Sequence, residues 1–421
     1  MRILITVSDY NSHLYPMVPL ARAVRDRGHD VVVACATGLV TSIQRAGLRS
    51  LVLFEGNSIV ERARLFNVLQ ALESRTMPDH GLTDPETGAP LESPTDFDRG
   101  GYLRDRLPTL IAQQRGNFDR AMRFATEWKP DLVLSDPLSE EGLWVAANSG
   151  LPSVCHLWGP IGNRENETGV VFKPVDLTGY FATLGSPPAD GIPSHDLVVD
   201  PTPTAVTTMN DARAVKVRYI PYNGGQADLP LPPCTVPTVC ILWSRFVDIM
   251  FGSRSFLVDD LMAVVAKLPV RAFLLLPAEQ VSRLRSVPAN ITVLADAPFD
   301  HVLRHSDCVV STGAAGAVMT PASMGVPQLA IPFTAEHRMI CDRVITGFGC
   351  GMVLPQAEFT RELFRDYLIR ILGDAVFSSS AQQLSAEIAG QTTPDQFLDR
   401  HLSVLVERGN FASSRALRGD V

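Results

Sequence analysis

The segment 307–332 places the strongest constraint on how this chain can fold. It reads DCVVSTGAAGAVMTPASMGVPQLAIP: an apolar strand, a turn of small residues, a helix and a second apolar strand. Such a unit predicts two parallel strands joined by a crossover helix. Small residues in the turn let backbone N–H groups approach a ligand, and the helix N-terminus that follows favours an anion. The segment predicts an α/β fold with a phosphate site, although turns of this kind are also small for packing reasons alone.

The same alternation of apolar runs and helical patterns extends through both halves of the chain and predicts parallel sheets. In the first half, strands are predicted near 3–7, 31–35, 132–135 and 153–156, with helices over 16–27, 108–127 and 139–149. In the second half, strands are predicted near 238–243, 271–275, 291–294, 308–311 and 328–331, with helices from about 360 onwards. The less regular, proline-containing segment 55–105 is predicted to be a loop on the substrate side, since long loops in compact domains often bind ligands.

A cluster of proline and glycine, PYNGGQADLPLPPCTVP, divides the chain at 221–237. Such composition is typical of an interdomain linker. We therefore expect a first Rossmann-like domain over 1–220, a second over 238–385, and a helical tail over 386–421 that packs back on the first domain. Ligands are expected at the carboxyl ends of the strands.

Composition narrows the class of protein. The 421 residues are 46% hydrophobic and 19% charged, which is typical of a folded globular chain, and the net charge of −8 argues against nucleic-acid binding. Apolar runs stay below the ~18 residues of a membrane span, and seven cysteines without C-x-x-C spacing fit a reducing cytoplasm. No metal site is expected, because the one paired spacing, His301 and His305, lacks a third ligand nearby.

Two polar residues in the first half have the chemistry of a base and its partner. His13 follows the first strand and precedes Pro16, so we expect it on a loop at the strand's carboxyl end. Asp136 follows the strand at 132–135 and is expected on the same rim, where a carboxylate can orient an imidazole that accepts a proton. The alternatives are that His13 only hydrogen-bonds its loop and that Asp136 only caps the next helix.

Several motifs together resemble those of bacterial antibiotic glycosyltransferases, which belong to family 1 and have the GT-B fold. The resemblance rests on SHLYPMVPLA at 12–21 with RGHDV at 27–31, PDLVLSD at 130–136, HLWGP at 156–160, RYIPYNG at 218–224 and the segment 307–332. It implies two Rossmann-like domains facing a central cleft, the first binding the acceptor and the second a nucleotide sugar. It also implies that His13 is the catalytic base, oriented by Asp136, in an inverting transfer of a deoxysugar to a polyketide-type aglycone. The co-substrate implied is a nucleotide diphosphate sugar, most often dTDP-linked, with no other cofactor and no metal.

The donor side departs from the family pattern. The family has His-Gly-Gly-x-Gly-Thr where this chain has Thr312 in place of the histidine and Ala317 in place of the hydroxyl residue, and it has a tryptophan where this chain has Asp296. Threonine donates a hydrogen bond but carries no positive charge, so about 1.5–3 kcal/mol of phosphate binding is expected to be lost. Arg245 offers a compensating charge, or else forms an ordinary surface ion pair. The resemblance assigns these positions to the donor site: Ser244, Arg245, Ala297, Thr312, Gly313, Gly316, Ala317, Glu336 and His337.

On the acceptor side we expect an apolar pocket, with aromatic walls that are core residues about as often as ligand contacts. The candidate walls are Tyr10, Phe66, Trp158 and Phe172. Because the departures cluster on the donor side, two alternatives to the transferase stay open. One is a donor-free enzyme that uses His13 for proton transfer on a polyketide intermediate, and the other is a non-catalytic auxiliary partner of another glycosyltransferase. A homodimer or a complex with an auxiliary protein also stays open.

Overall fold

The computed structural model describes residues 1–56, 59–78, 81–167, 170–171, 175–185, 191–210, 212–224, 229–232, 234–252 and 255–402. The contacts within the chain divide it into two units. The first unit comprises Met1–Ile59, Arg99–Arg218 and the segment that starts at Gln391, and the second comprises Val60–Asp98 and Tyr219–Gly390. No described helix is long and apolar enough to cross a membrane.

The strands of the described residues are short. They are β1 (Arg2–Thr6), β2 (Asp30–Ala36), β3 (Arg49–Phe54), β4 (Leu82–Thr83), β5 (Pro90–Leu91), β6 (Leu132–Ser135), β7 (Ser153–His156), β8 (Asn166–Glu167), β9 (Val170–Val171), β10 (Leu197–Asp200), β11 (Ala214–Lys216), β12 (Thr238–Leu242), β13 (Arg271–Leu276), β14 (Ile291–Ala295), β15 (Cys308–Ser311), β16 (Gln328–Ala330) and β17 (Gly351–Val353).

Helices separate most of these strands. They are α1 (Asn11–Asp26), α2 (Val40–Arg45), α3 (Ile59–Ser74), α4 (Arg99–Gly101), α5 (Leu107–Trp128), α6 (Glu140–Ser149), α7 (Arg245–Phe251), α8 (Val258–Val265), α9 (Ala278–Val281), α10 (Phe299–Leu303), α11 (Ala315–Met324), α12 (Ala335–Cys341), α13 (Arg361–Gly373) and α14 (Ala375–Gly390). Five-residue π-helical turns follow α4 and α12.

The first unit is built on a parallel sheet in the order β11-β10-β7-β6-β1-β2-β3. Its central strands are apolar along their whole length, since helices cover both faces of a parallel sheet. In β1, for example, Ile3, Leu4 and Ile5 are all at most 1% exposed. The order of the strands reverses between β1 and β6, and such a switch point is where open α/β sheets bind ligands.

The second unit repeats this plan. Its parallel sheet has the order β14-β13-β12-β15-β16-β17, with the reversal between β12 and β15. Its core packs the strand residues against α8 and α13, as for Ile241, Leu261 and Phe364, which are all fully buried. Each unit therefore has one switch point at the carboxyl edge of its sheet.

The predicted α/β class and the predicted strands and helices are confirmed, with two corrections. The first helix starts at Asn11 rather than at 16 and contains both Pro16 and Pro19, so His13 lies in its first turn and not on a loop. Proline is favoured in the first turn of a helix, so the predicted helix was started at Pro16, which is too late. The segment 55–105 is not a long loop, because it contains the 16-residue helix α3, the hairpin β4–β5 and the start of the helical run that continues into α5.

Part of this segment, residues 60–98, packs within the second unit. The Arg64 guanidinium donates two hydrogen bonds, of 3.0 and 2.6 Å, to the carbonyl of Ile249 in α7. The Thr83 hydroxyl donates to the carbonyl of Met250 at 2.8 Å. The segment starting at Gln391 groups with the first unit, where Arg27 contacts Asp395 and Asp399. These groupings differ from the division at 1–220, 238–385 and 386–421, which stays a prediction.

Candidate active site

The first candidate site lies at the switch point of the first unit. β1 and β6 are neighbours, with Thr6 opposite Ser135 in the register, so the residues that follow the two strands emerge side by side. Ser8 follows β1, Asp136 follows β6, and His13 stands in the first turn of α1. The predicted pair of His13 and Asp136 is therefore brought together by the sheet.

A serine bridges this pair. The Ser8 hydroxyl lies 2.8 Å from Nδ1 of His13 and donates to Oδ1 of Asp136 at 2.9 Å. The direct separation of Nδ1 from Oδ1 is 3.7 Å, which is too long for a hydrogen bond. Asp136 also accepts hydrogen bonds from two backbone N–H groups, those of Ser8 at 2.6 Å and Leu138 at 2.8 Å. Asp136 therefore acts on His13 through Ser8, and it also holds the start of the loop before α6.

Sequence reasoning missed Ser8. The only signal for it was its position two residues beyond β1, five residues before His13. Serine is common at strand ends, so this position by itself does not separate a bridging hydroxyl from an ordinary turn residue.

Burial sets the charge states of the pair. His13 is 7% exposed, and desolvation lowers its pKa to about 3, so the imidazole is neutral at neutral pH. Asp136 is 1% exposed, and desolvation raises its pKa to about 6 against the opposing effect of its hydrogen bonds from Ser8 and Leu138. In the described part of the chain no protein atom hydrogen-bonds Nε2 of His13. A neutral imidazole with one nitrogen held and the other available is suited to accept a proton.

Two aromatic rings fix the plane of the imidazole. The indole of Trp158 stacks on His13 with centroids 4.0 Å apart and an interplanar angle of 7°, and Tyr10 meets it edge-on at 5.5 Å. Trp158 is 3% exposed, while Tyr10 is half-buried at the N-cap of α1. Two of the four predicted acceptor residues thus contact the candidate base itself.

The other two predicted acceptor residues are placed differently. Phe66 is half-buried on α3, in the segment that packs within the second unit. Phe172 lies outside the described residues.

The second candidate site lies at the switch point of the second unit. β12 and β15 are neighbours, with Leu242 opposite Ser311, so Ser244 and the turn 312–314 emerge side by side. Gly313 has φ +79°, in the left-handed region, and donates its N–H to the Ser311 hydroxyl at 3.3 Å. A Cβ at this position would stand 2.6 Å from Sγ of Cys341 in α12. Gly313 is therefore required by the backbone and by packing, independently of any ligand.

Gly316 has the opposite surroundings. A Cβ there would meet no atom within 4 Å, so the first turn of α11 faces open space at this position. Thr312 is 1% exposed and Ala317 is 9% exposed. Of the predicted motif positions, Gly316 is the one whose lack of a side chain leaves room for a ligand beside the helix N-terminus.

The residues after β12 belong to the cap of α7. The Ser244 hydroxyl accepts the Phe246 N–H at 3.1 Å and caps the helix. Arg245 pairs with Glu279, with both side chains more than half exposed. The ion-pair alternative stated for Arg245 is thus the one observed. Such exposed pairs are worth little, because solvent screens them.

The remaining predicted donor residues flank these turns. Ala297 follows Asp296, whose φ of +48° is left-handed, and packs partly buried against the cluster around Phe299. Glu336 is half-buried in the first turn of α12, where desolvation raises its pKa to about 7. His337 is 3% exposed with Nδ1 buried and without a hydrogen-bond partner among the described residues, and burial lowers its pKa to about 4.

His337 lies against the motif turn. The Cβ of His337 lies 3.6 Å from the position that a Cβ on Gly313 would occupy. A hydrogen bond with the Thr312 backbone opposes the lowering of the His337 pKa. The described residues contain no group of three or more potential metal ligands. His301, one of the two histidines with paired spacing, hydrogen-bonds through Nε2 to the carbonyl of Leu229 at 2.7 Å.

Comparison with known proteins identifies the family. Two family models match the chain. The erythromycin biosynthesis protein CIII-like N-terminal domain matches residues 115–228 and the C-terminal domain matches residues 259–403, together more than half of the chain. The 10-deoxymethynolide desosaminyltransferase of Streptomyces venezuelae is 27% identical, over 94% of this chain and 95% of that protein. The aklavinone 7-beta-L-rhodosaminyltransferase of Streptomyces galilaeus is 28% identical, over 94% of each.

Solved structures agree with this assignment. The spinosyn rhamnosyltransferase SpnG superposes with a TM-score of 0.72 at 26% identity, over 96% of this chain and 100% of that one. SpnG complexed with thymidine diphosphate gives a TM-score of 0.70 at 27% identity, with the same coverage. The chain belongs to the erythromycin biosynthesis protein CIII-like family and is an antibiotic-type glycosyltransferase of the GT-B fold.

Proposed function

We propose that this protein transfers a deoxysugar from a nucleotide diphosphate donor, dTDP-linked, to a polyketide-type aglycone with inversion at the anomeric carbon. The observation that carries the proposal is His13, a buried neutral imidazole whose Nδ1 is held by Ser8 and whose Nε2 is available. The names of the relatives support the substrate classes, since two of these enzymes are named as a desosaminyltransferase and a rhodosaminyltransferase and one related structure is complexed with thymidine diphosphate.

In the proposed reaction, His13 activates the acceptor. Nε2 takes the proton of an acceptor hydroxyl while the oxygen attacks the anomeric carbon of the donor. The carbon–oxygen bond to the diphosphate breaks on the opposite face, and its electron pair leaves with the diphosphate. The imidazolium formed at His13 is stabilised through Ser8 by the carboxylate of Asp136, as a carboxylate does in hydrolase triads.

In the proposed reaction, Trp158 positions the imidazole and Tyr10 contacts the acceptor. The stack of Trp158 on the imidazole, at 4.0 Å, excludes water from one face of the ring and holds Nε2 in one direction. Tyr10 is half-buried at the start of α1, and in the proposed complex its exposed part contacts an apolar acceptor. Phe66 and Phe172 stay candidate acceptor contacts, as inferred from the sequence.

On the donor side, the second unit provides the anion site. The N-terminus of α11 carries partial positive charge, and the open space at Gly316 lets a phosphate approach its N–H groups. This electrostatic stabilisation acts on the leaving diphosphate, where charge develops. We place the sugar near Glu336 and His337 in α12 and the base near Ala297. Because Thr312 is uncharged, diphosphate binding here relies more on the helix N-terminus, and Arg245 contributes only by leaving its exposed pair with Glu279.

A donor-binding and transfer experiment tests the proposal. Calorimetric titration with dTDP and UDP is expected to give binding at micromolar to sub-millimolar strength, stronger for dTDP. Incubation with dTDP-deoxysugars and a panel of macrolide and aromatic polyketide aglycones, followed by mass spectrometry, is expected to show an added deoxysugar. No binding at millimolar nucleotide together with no transfer would refute the proposal. Turnover of an aglycone without nucleotide sugar would favour donor-free proton transfer by His13 instead.

A further inference from the structure

Three side chains of the first unit form one hydrogen-bonded line. It runs from Nδ1 of His13 to the Ser8 hydroxyl over 2.8 Å and on to Oδ1 of Asp136 over 2.9 Å. The backbone N–H of Ser8 also donates to the second oxygen of Asp136 at 2.6 Å, which fixes the serine relative to the carboxylate. Without the hydroxyl, the 3.7 Å between His13 and Asp136 leaves no hydrogen bond between them.

The proton count along this line fixes the state of His13. A serine hydroxyl has one proton to donate. While Asp136 is ionised it can only accept, so the Ser8 proton points to it and the Ser8 oxygen must accept from His13. Nδ1 then carries the proton of the neutral imidazole, and Nε2 has the free lone pair that a general base needs.

Protonation of Asp136 reverses the direction of every bond in the line. A carboxyl that has gained a proton can donate to the Ser8 oxygen, and the Ser8 hydroxyl can then turn and donate to Nδ1 of His13. The imidazole proton moves to Nε2, where it blocks the acceptance of a second proton from substrate. The two states differ in one proton on Asp136 and in the tautomer of His13.

We propose that Ser8 is a positioning residue that transmits the protonation state of Asp136 to His13 and thereby selects the tautomer in which His13 acts as a base. The inference rests on the proposed function only in naming His13 as the base, since the tautomer is a property of the protein alone. Ser8 does not touch the reacting atoms and acts only through the imidazole.

The groups around Asp136 bring its protonation, and with it the change of tautomer at His13, into an accessible range of pH. Desolvation, together with the buried carboxyl of Glu140 at the start of α6, raises the pKa of Asp136 to about 6 against its hydrogen bonds from Ser8 and Leu138. The neighbouring Glu141 is also buried, and its pKa is raised by desolvation and by the charges of Glu140 and Asp136. From α1, the group that faces Asp136 is His13, which stays neutral above the pKa of about 3 that burial imposes. Between pH 5 and 8 the change expected in the line is therefore on Asp136.

The experiment reads the tautomer of His13 directly. Long-range ¹H–¹⁵N correlation spectra of the full chain labelled with ¹⁵N-histidine distinguish Nδ1–H from Nε2–H, and His13→Gln assigns the signal among the nine histidines. In the wild type we expect Nδ1–H at pH 8 and a change to Nε2–H with a midpoint near pH 6. In Ser8→Ala we expect the ratio of Nδ1–H to Nε2–H at pH 8 to fall roughly fivefold to tenfold, because one hydrogen bond is lost. We also expect the midpoint near pH 6 to disappear.

Two further variants separate this role from a structural one. Ser8→Thr keeps the hydroxyl and is expected to restore the wild-type tautomer and midpoint. Ser135→Ala removes a buried hydroxyl that has no hydrogen-bond partner among the described residues, one position from Asp136, and is expected to leave both unchanged. Nε2–H in the wild type at pH 8, or an unchanged His13 signal in Ser8→Ala, would overturn the proposal. Neither result depends on a donor or an acceptor, so the proposed function would stand or fall separately.

Discussion

Two glycines of the 307–332 segment, three residues apart, are expected to respond in opposite ways to the same substitution. At Gly313 the φ of +79° is unfavourable for alanine, and a Cβ would stand 2.6 Å from Sγ of Cys341. A left-handed residue with a Cβ costs roughly 1–2 kcal/mol, and overpacking a buried site typically costs about 1–3 kcal/mol. Gly313→Ala is therefore expected to lower the free energy of unfolding of the second unit by about 2–5 kcal/mol.

Removing the sulfur separates the two costs. Cys341→Ala vacates the space that the new methyl needs but leaves the backbone conformation unchanged. In Gly313→Ala/Cys341→Ala the overpacking cost is relieved, so the double variant is expected to be more stable than the sum of the single effects predicts, by about 1–3 kcal/mol. The measurement is urea unfolding of the four proteins, followed by tryptophan fluorescence and analysed as a double-mutant cycle. A Gly313→Ala variant within ~0.5 kcal/mol of wild type, or strict additivity, would refute the reasoning.

Gly316→Ala is the matched control in the same segment. Its Cβ enters open space within α11, so its stability is expected to be unchanged or raised by about 0.5–1 kcal/mol, as for glycine to alanine in a helix. If the diphosphate uses that space, dTDP binding weakens while the fold does not. Unchanged dTDP affinity in this variant would remove Gly316 from the donor site.

Three further outcomes are expected. His13→Gln lowers the rate of sugar transfer by roughly 10²–10⁴-fold, measured by mass spectrometry, with dTDP affinity unchanged in the titration; equal rates would remove the base assignment. His156 is buried, and desolvation lowers its pKa to about 4, so its neutral form stabilises the fold above pH 6.5 and that contribution is lost as pH falls toward 4. His156→Gln is therefore expected to lose less stability than wild type between pH 7 and 4, by up to about 3 kcal/mol in urea unfolding; parallel pH curves would contradict this. Arg64→Met removes the hydrogen bonds to Ile249 and is expected to expose 60–98 to limited proteolysis before the rest of the chain, whereas an unchanged digest would mean that α3 is held by other contacts.

The sequence was sufficient for the architecture, because the strands of both parallel sheets are buried on both faces and read as continuous apolar runs. Four strands of the two sheets were missed. The edge strands β3, β11 and β17 are more exposed and carry weaker patterns, whereas β10 is an interior strand whose four residues are all buried. Helix α3 was read as loop because its apolar residues have no clear stripe: of its 16 residues only Glu61, Val68 and Ala71 are buried. Its partner in α7, Ile249, lies 185 residues from Arg64 in the chain, and no local sequence pattern indicates such a contact.

Some residues of the candidate site could be predicted from the sequence and others could not, for the same physical reason. His13 and Asp136 were predictable, since a parallel sheet brings the residues after adjacent strands to one edge. Ser8 and the stack of Trp158 on His13 were not, because they depend on side-chain directions and interatomic distances that the spacing of residues in the sequence does not encode. On the donor side the sequence identified the altered positions, whereas the reason why Gly313 must be glycine became visible only with Cys341 packed against it.

The altered donor motif and the candidate base His13 constrain each other. If the loss of the motif histidine had accompanied loss of catalysis, relaxed packing would be expected around His13, since a residue without a function is free to change its partners. Instead His13 is held on three sides, by Ser8, Trp158 and Tyr10, at the cost of burying a carboxylate at Asp136. Burying Asp136 beside Glu140 is unfavourable for folding, as its raised pKa indicates, so the arrangement is not explained by stability. A cost of this kind at a strand end is typical of a site kept for chemistry. We therefore interpret Thr312 and Ala317, under the proposed function, as a different way of holding the donor and not as decay of the enzyme.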